Sequence, residues 1–136
     1  GKFKGVGEQS WGFTASDSPA GYNGLLGSPP SGYDNAAHQA DGTVPPAGAL
    51  GSVVFTPEES IAALKYFLTV PNLSGKYGLK DAFNLSADWV GPGYIGIDKG
   101  ITLLMAANYR DETVWNIFMK VPYVKRGLEA LQFRNK

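Results

Sequence analysis

Lys99-Gly100-Ile101-Thr102-Leu103-Leu104-Met105-Ala106-Ala107-Asn108-Tyr109 follows Asp98 and is apolar around nearly its whole circumference. A surface helix needs a polar stripe, and this stretch offers too little to form one, which predicts a helix capped by Asp98 and enclosed by other helices. Downstream, Glu112 to Lys120 places Val114, Trp115, Phe118 and Met119 on one face, and Pro122 to Phe133 places Val124, Leu128 and Leu131 on another. Both are amphipathic, and Trp115 and Phe118 read as core. An enclosed helix followed by an amphipathic one is the inner and outer pair of an α/α toroid.

Upstream, Thr56-Pro57-Glu58-Glu59 reads as a helix start. Thr56 is placed to cap, Pro57 suits the first helical position, and Glu59 stands where it closes a capping box. The macrodipole accounts for Glu58 and Glu59. Ile61, Leu64, Phe67 and Leu68 then form one stripe until Pro71 stops the helix. Four predicted helices are too few to close a ring.

Around these helices the chain is punctuated. Residues 1–55 hold 11 of the 18 glycines and breaks such as Ser28-Pro29-Pro30-Ser31-Gly32, Asp41-Gly42 and Val44-Pro45-Pro46, so the front reads as loop. Phe3, Trp11, Phe13, Tyr22, Tyr33 and Phe55 make it too aromatic for a solvated tail. Residues 72–97, with Tyr77-Gly78, Phe83-Asn84, Trp89 and Gly91-Pro92-Gly93-Tyr94, read as a second aromatic loop. The predicted fold class is all-α with long loops rich in glycine, proline and aromatics: cleft loops over 1–55, and helices over 56–136 interrupted by the loop at 72–97.

Composition narrows the function. The 136 residues are one domain's worth of material or part of one. Twelve Lys and Arg balance twelve Asp and Glu, which argues against steering toward nucleic acid or an anionic bilayer. With no cysteine and one His, neither a disulfide framework nor a zinc site is predicted, and no metal or other cofactor is expected. No apolar run of about 18 residues appears, so no membrane span is predicted, and no charged-then-apolar secretion signal opens the sequence.

The stretch Gly7 to Tyr22 sets Glu8 and Asp17 among Trp11, Phe13 and Tyr22 on a glycine-hinged backbone. That is the chemistry of a sugar cleft, because rings cover the C–H faces of a pyranose while carboxylates and amides bond its hydroxyls. These motifs resemble those of the bacterial glucoamylase-like domain family, which includes β-1,2-glucan-degrading enzymes and a domain of the cyclic β-1,2-glucan synthases. The likeness runs through Gly7-Glu8, Trp11-Gly12, Thr14-Ala15-Ser16-Asp17 and Gly21-Tyr22, then Asp41-Gly42-Thr43 and Phe55-Thr56-Pro57-Glu58-Glu59-Ser60. It continues through Tyr77-Gly78, Asp81-Ala82-Phe83-Asn84, Tyr94-Ile95-Gly96-Ile97-Asp98-Lys99-Gly100 and Asn108-Tyr109-Arg110. The resemblance implies an (α/α)6 toroid of which this chain is the C-terminal portion, partnered by N-terminal helices of the same protein. It also implies glycoside hydrolysis of a β-linked glucan by inversion, with an oligosaccharide or polysaccharide substrate, in a periplasmic or extracellular setting. The stretch Tyr33 to Ala40 departs from the family's tighter spacing and leaves Asp34 and His38 without assigned ligand roles.

Cleaving a glycosidic bond needs a protonated carboxylic acid and a second carboxylate. Glu8, in a glycine-rich turn before an indole that can desolvate it, is the first candidate acid; the structural alternative is a Glu that holds loop amides. Asp17 is the second catalytic candidate, with an Asx-turn as its competitor. Asp41 in Asp-Gly is a candidate sugar contact or a turn former. Asp98 caps a helix whose amides can also face a substrate oxygen. Trp11, Tyr22, Trp89 and Tyr94 are candidate sugar platforms, while His38 reads as solvated. A non-catalytic glycan-binding or transport-associated protein is the rival, and reducing-end release separates the two.

Overall fold

The computed structural model describes residues 2–27 and 40–133. Tyr33, Asp34, His38 and the Ser28–Gly32 break lie outside the described residues. From the front, the chain forms a hairpin of β1 (Ser16–Ser18) and β2 (Gly21–Asn23), then α1 (Pro46–Leu50) and α2 (Pro57–Phe67). Two further hairpins follow, β3 (Ser74–Gly75) with β4 (Gly78–Leu79) and β5 (Phe83–Asn84) with β6 (Trp89–Val90). The end is helical: α3 (Gly96–Asp111), α4 (Thr113–Phe118) and α5 (Pro122–Ala130). The all-α expectation is therefore corrected to a helical chain with three two-stranded antiparallel hairpins among the described residues.

Local chemistry explains the first hairpin. The Ser18 hydroxyl donates to Gly21 O at 2.8 Å and accepts the Ala20 N–H at 3.3 Å, and Gly21 adopts φ +106°, so the strands reverse within two residues. Asp17 thereby pairs with Tyr22. Behind it the loop carrying Trp11 crosses α1 at backbone contact. A Cβ on Gly48 would lie 1.9 Å from Gly12 O, and Gly12 itself has φ +98°, so both positions demand glycine.

The core gathers Val44, Ala49, Ala63, Phe67, Leu73 and Phe83. Phe67 and Phe83 meet edge to face at 5.7 Å. Val44 and Phe83 exchange backbone hydrogen bonds of 2.8 and 3.1 Å, which staples the β5 hairpin to the entry of α1. Ser60 donates its hydroxyl to Ala49 O at 2.8 Å, joining α2 to α1 inside the core.

Helix α2 begins at Pro57 as expected, but Thr56 does not cap it. Its hydroxyl turns back to Ser52 O (3.3 Å) and to the Ser60 hydroxyl (3.2 Å), so the predicted capping box does not form. The buried face is Ser60, Ala63 and Phe67, with Leu64 packed beside it, while Ile61 and Leu68 are exposed. Small residues let α2 approach α1 closely, which the predicted stripe of large residues does not.

Helix α3 starts two residues before Asp98, after Ile95, so Asp98 lies within the first turn instead of capping it. Its buried residues are Met105 and Asn108, whereas Leu103 is 70% exposed. Asn108 Oδ1 accepts the Trp115 N–H at 3.0 Å and so fixes α4 across the left-handed Glu112 (φ 55°). Helices α4 and α5 bury no residue. Trp115 tilts against Phe55 at 6.3 Å and Phe118 is exposed, which corrects their assignment to core within the described chain.

Candidate active site

Three acids from three elements converge at the start of α3. Asp81, in the link between β4 and β5, is 2% exposed. Its backbone N–H donates to Gly93 O at 3.1 Å, and its Oδ2 accepts the Asp17 N–H at 2.8 Å from the middle of β1. Asp98 faces this pair from the first turn of α3. Burial, then the neighbouring Asp81 carboxylate, which favours a protonated Asp98 and repels an ionised one, push the Asp98 carboxyl up from 3.8 to about 7. Asp17 adds a smaller push, and Lys99 pulls in the opposite direction.

Lys99 is held at the same place. Its Nζ donates to Leu79 O and stands 5.6 Å from the centre of the Tyr94 ring. Burial holds the Lys99 ammonium below its ordinary value, partly offset by Asp98 and Asp81. Tyr94 meets Tyr77 edge to face at 5.3 Å, and its hydroxyl occupies the space where a side chain at Gly75 would lie.

Asp98 borders two cavities. The larger, about 500 Å³, is lined by Asp81, Asp98, Lys99, Tyr77 and aliphatic residues of α1, α2 and α3. The smaller, about 260 Å³, lies between Thr14, Gly48, Ser52 and Ile101. A half-buried acid with a charge partner at the mouth of a largely apolar cavity is the arrangement expected of a reactive group. Among the described residues no group of three or more His, Cys, Asp and Glu side chains is arranged to hold a metal ion. No helix among them is long and apolar enough to cross a membrane.

The structure thus brings Asp17, Asp98 and Tyr94 together and leaves the other candidates elsewhere. Glu8 is exposed on a tight turn closed by paired bonds between Gly7 and Ser10, and it borders a separate cavity with Tyr66. Trp11 packs against the core, and Trp89 lines a fourth cavity with Lys4 and Lys80. Tyr22 is 72% exposed on β2 opposite Asp17. Asp41 is exposed and its Oδ1 accepts the Thr43 N–H at 2.7 Å, the geometry of a turn former. Asp17 forms no such turn; Ser18 does. Sequence reasoning assigned no role to Asp81 or Lys99. The signal for Asp81 was an acid set among the apolar residues Leu79, Ala82 and Phe83.

Comparison with known proteins gives a consistent picture. The Glycoamylase family, described as "Putative glucoamylase", matches residues 1–122. The chain is 37% identical over 134 residues to an exo β-1,2-glucooligosaccharide sophorohydrolase (non-reducing end) of Parabacteroides distasonis, covering 97% of this chain and 18% of that protein. An endo-β-1,2-glucanase from Chitinophaga pinensis, solved with sophorotriose and glucose, superposes with TM-score 0.79 at 36% identity. That match covers 93% of this chain and 29% of the other. A β-1,2-glucanase from Parabacteroides distasonis superposes with TM-score 0.80 at 37% identity, covering 93% and 17%. The chain spans less than a third of each of these relatives.

Proposed function

The chain belongs to the glucoamylase-like family matched over residues 1–122, and from that membership we propose that it is the C-terminal part of a toroidal glycoside hydrolase acting on a β-1,2-linked glucan. The observation that carries this reading is Asp98, a half-buried acid bordering two cavities and poised by burial and by Asp81 to exchange a proton near neutral pH. A carboxyl poised there serves as acid or base at little energetic cost. Asp17 is the second carboxylate facing it, and Glu8, on its own cavity, ranks behind both. The Tyr77–Tyr94 pair beside the larger cavity supplies a ring surface for a pyranose, and Tyr22 offers another from the hairpin.

The relatives named for β-1,2-glucan and its oligosaccharides support the substrate class. In this reading the enzyme works in the periplasm or outside the cell. Helices from the part of the relatives' length not spanned by this chain complete the (α/α)6 ring. The test is reducing-end release from β-1,2-glucan by the whole protein. Asp98→Asn is expected to lower turnover at least about a hundredfold with no loss of melting temperature at neutral pH. Turnover within a few-fold of the parent would overturn the assignment, and no release by the parent would favour a glycan-binding protein.

A further inference from the structure

Asp81 is the only acid among the described residues that is fully buried. One of its oxygens is satisfied: Oδ2 accepts the Asp17 N–H at 2.8 Å. The other, Oδ1, is buried and has no hydrogen-bond partner among the described residues. A sealed carboxylate oxygen is unfavourable unless a proton reaches it. The charged groups around it are Asp17 from β1 and Asp98 and Lys99 from α3. Lys99 is already committed to Leu79 O and the Tyr94 ring. That leaves Asp98, whose ionised form has no hydrogen to give and whose protonated form donates to Asp81.

We propose that Asp81 is a positioning residue that binds Asp98 and the β1–β2 hairpin into one proton-sharing unit, one oxygen holding the Asp17 amide and the other accepting the Asp98 hydroxyl. Its catalytic meaning rests on the reading of Asp98 as the proton-transfer group. When Asp98 releases its proton, two carboxylates face each other across the buried contact and the grip on the hairpin weakens. The hairpin carries Tyr22 opposite Asp17, so the protonation state of the reactive acid is transmitted to an exposed ring on β2.

Carbon-13 and nitrogen-15 NMR of the full chain carrying doubly labelled aspartate tests this, following the Asp98 carboxyl and the Asp17 amide between pH 4 and 9. In the parent both signals are expected to titrate together near pH 7. Asp81→Asn keeps an acceptor for the Asp17 amide but removes the charge and offers an N–H to Asp98. It should move the Asp98 midpoint down by at least about one pH unit, an effect that mere structural support would not produce. An unchanged midpoint in folded Asp81→Asn overturns the proposal. So does a parent Asp17 amide with no inflection where Asp98 titrates, a result that needs no variant to fold. Asp98→Asn gives Asp81 a permanent donor and should make the Asp17 amide insensitive to pH across this window; persistent titration there also counts against the coupling. Hydrolysis retained by Asp98→Asn would instead overturn the catalytic reading and leave the shared proton intact, so the two failures are distinguishable.

Discussion

Between its ordinary value of 3.8 and about 7, Asp98 holds more protons in the folded chain than in the unfolded one, because burial and Asp81 favour its neutral form. Stability therefore falls as pH rises across that interval. The contribution of the raised carboxyl is fully present below the ordinary carboxylate value and is lost as pH climbs through 7. Melting temperatures measured from pH 4 to 8 are expected to decline. Asp98→Asn should flatten that decline and melt higher than the parent at pH 8, and an unchanged slope would assign it to other groups. Glu8 provides the contrast. It stands exposed on the Gly7–Ser10 turn, so Glu8→Gln is expected to keep glucan turnover within a few-fold. Loss of turnover at an unchanged melting temperature would return Glu8 to the acid role. Asp17 and Asp98 stand out in the sequence, one as an acid among the aromatic residues of the front stretch and the other beside a helix start. Asp81 is marked only by its apolar neighbours, and its role was not legible, since its partner Asp17 is 64 positions away and local spacing carries no trace of that bond.

Glycine positions separate close packing from open helix in a way that stability measurements can read. At Gly48 a Cβ would meet the Gly12 carbonyl carbon at 2.6 Å as well as its oxygen, and backbone cannot swing aside as a side chain can. Gly48→Ala is expected to destabilise by about 3 kcal/mol in denaturant titration, at the upper end for overpacking. At Gly100, inside α3, nothing lies within 4 Å of the added carbon, so Gly100→Ala in this chain should stabilise by about 0.5–1 kcal/mol. Equal effects at the two sites would refute the crossing geometry. Helix α2 was readable because Pro57 and Pro71 punctuate it in sequence. Its missing cap was not, because the Ser52 carbonyl and the Ser60 hydroxyl, four residues either side, hold the Thr56 hydroxyl instead. The hairpins escaped notice for a related reason: strands of two or three residues are too short for any alternation of apolar and polar positions to register.

The apolar girth of α3 predicts enclosure, yet Leu103 is 70% and Leu104 47% exposed, and Ile117, Phe118 and Leu131 extend the bare surface along α4 and α5. The chain matches under a third of its relatives' length, so the proposed source of the covering is the rest of the same protein. Burying a leucine gains roughly 1.5–3 kcal/mol, whereas burying an unpaired charge in its place is unfavourable by more than that loss. Leu103→Glu therefore has two expected outcomes that depend on what surrounds it. In this chain by itself the side chain stays in water, stability changes by about 0.5 kcal/mol at most, and binding of a hydrophobic dye falls. In the whole protein the same substitution is expected to lower stability by about 3 kcal/mol or more, read from denaturant midpoints. If the two backgrounds respond alike, the bare face is solvent-facing in the complete molecule, and the toroidal reading loses the inner helix on which it depends.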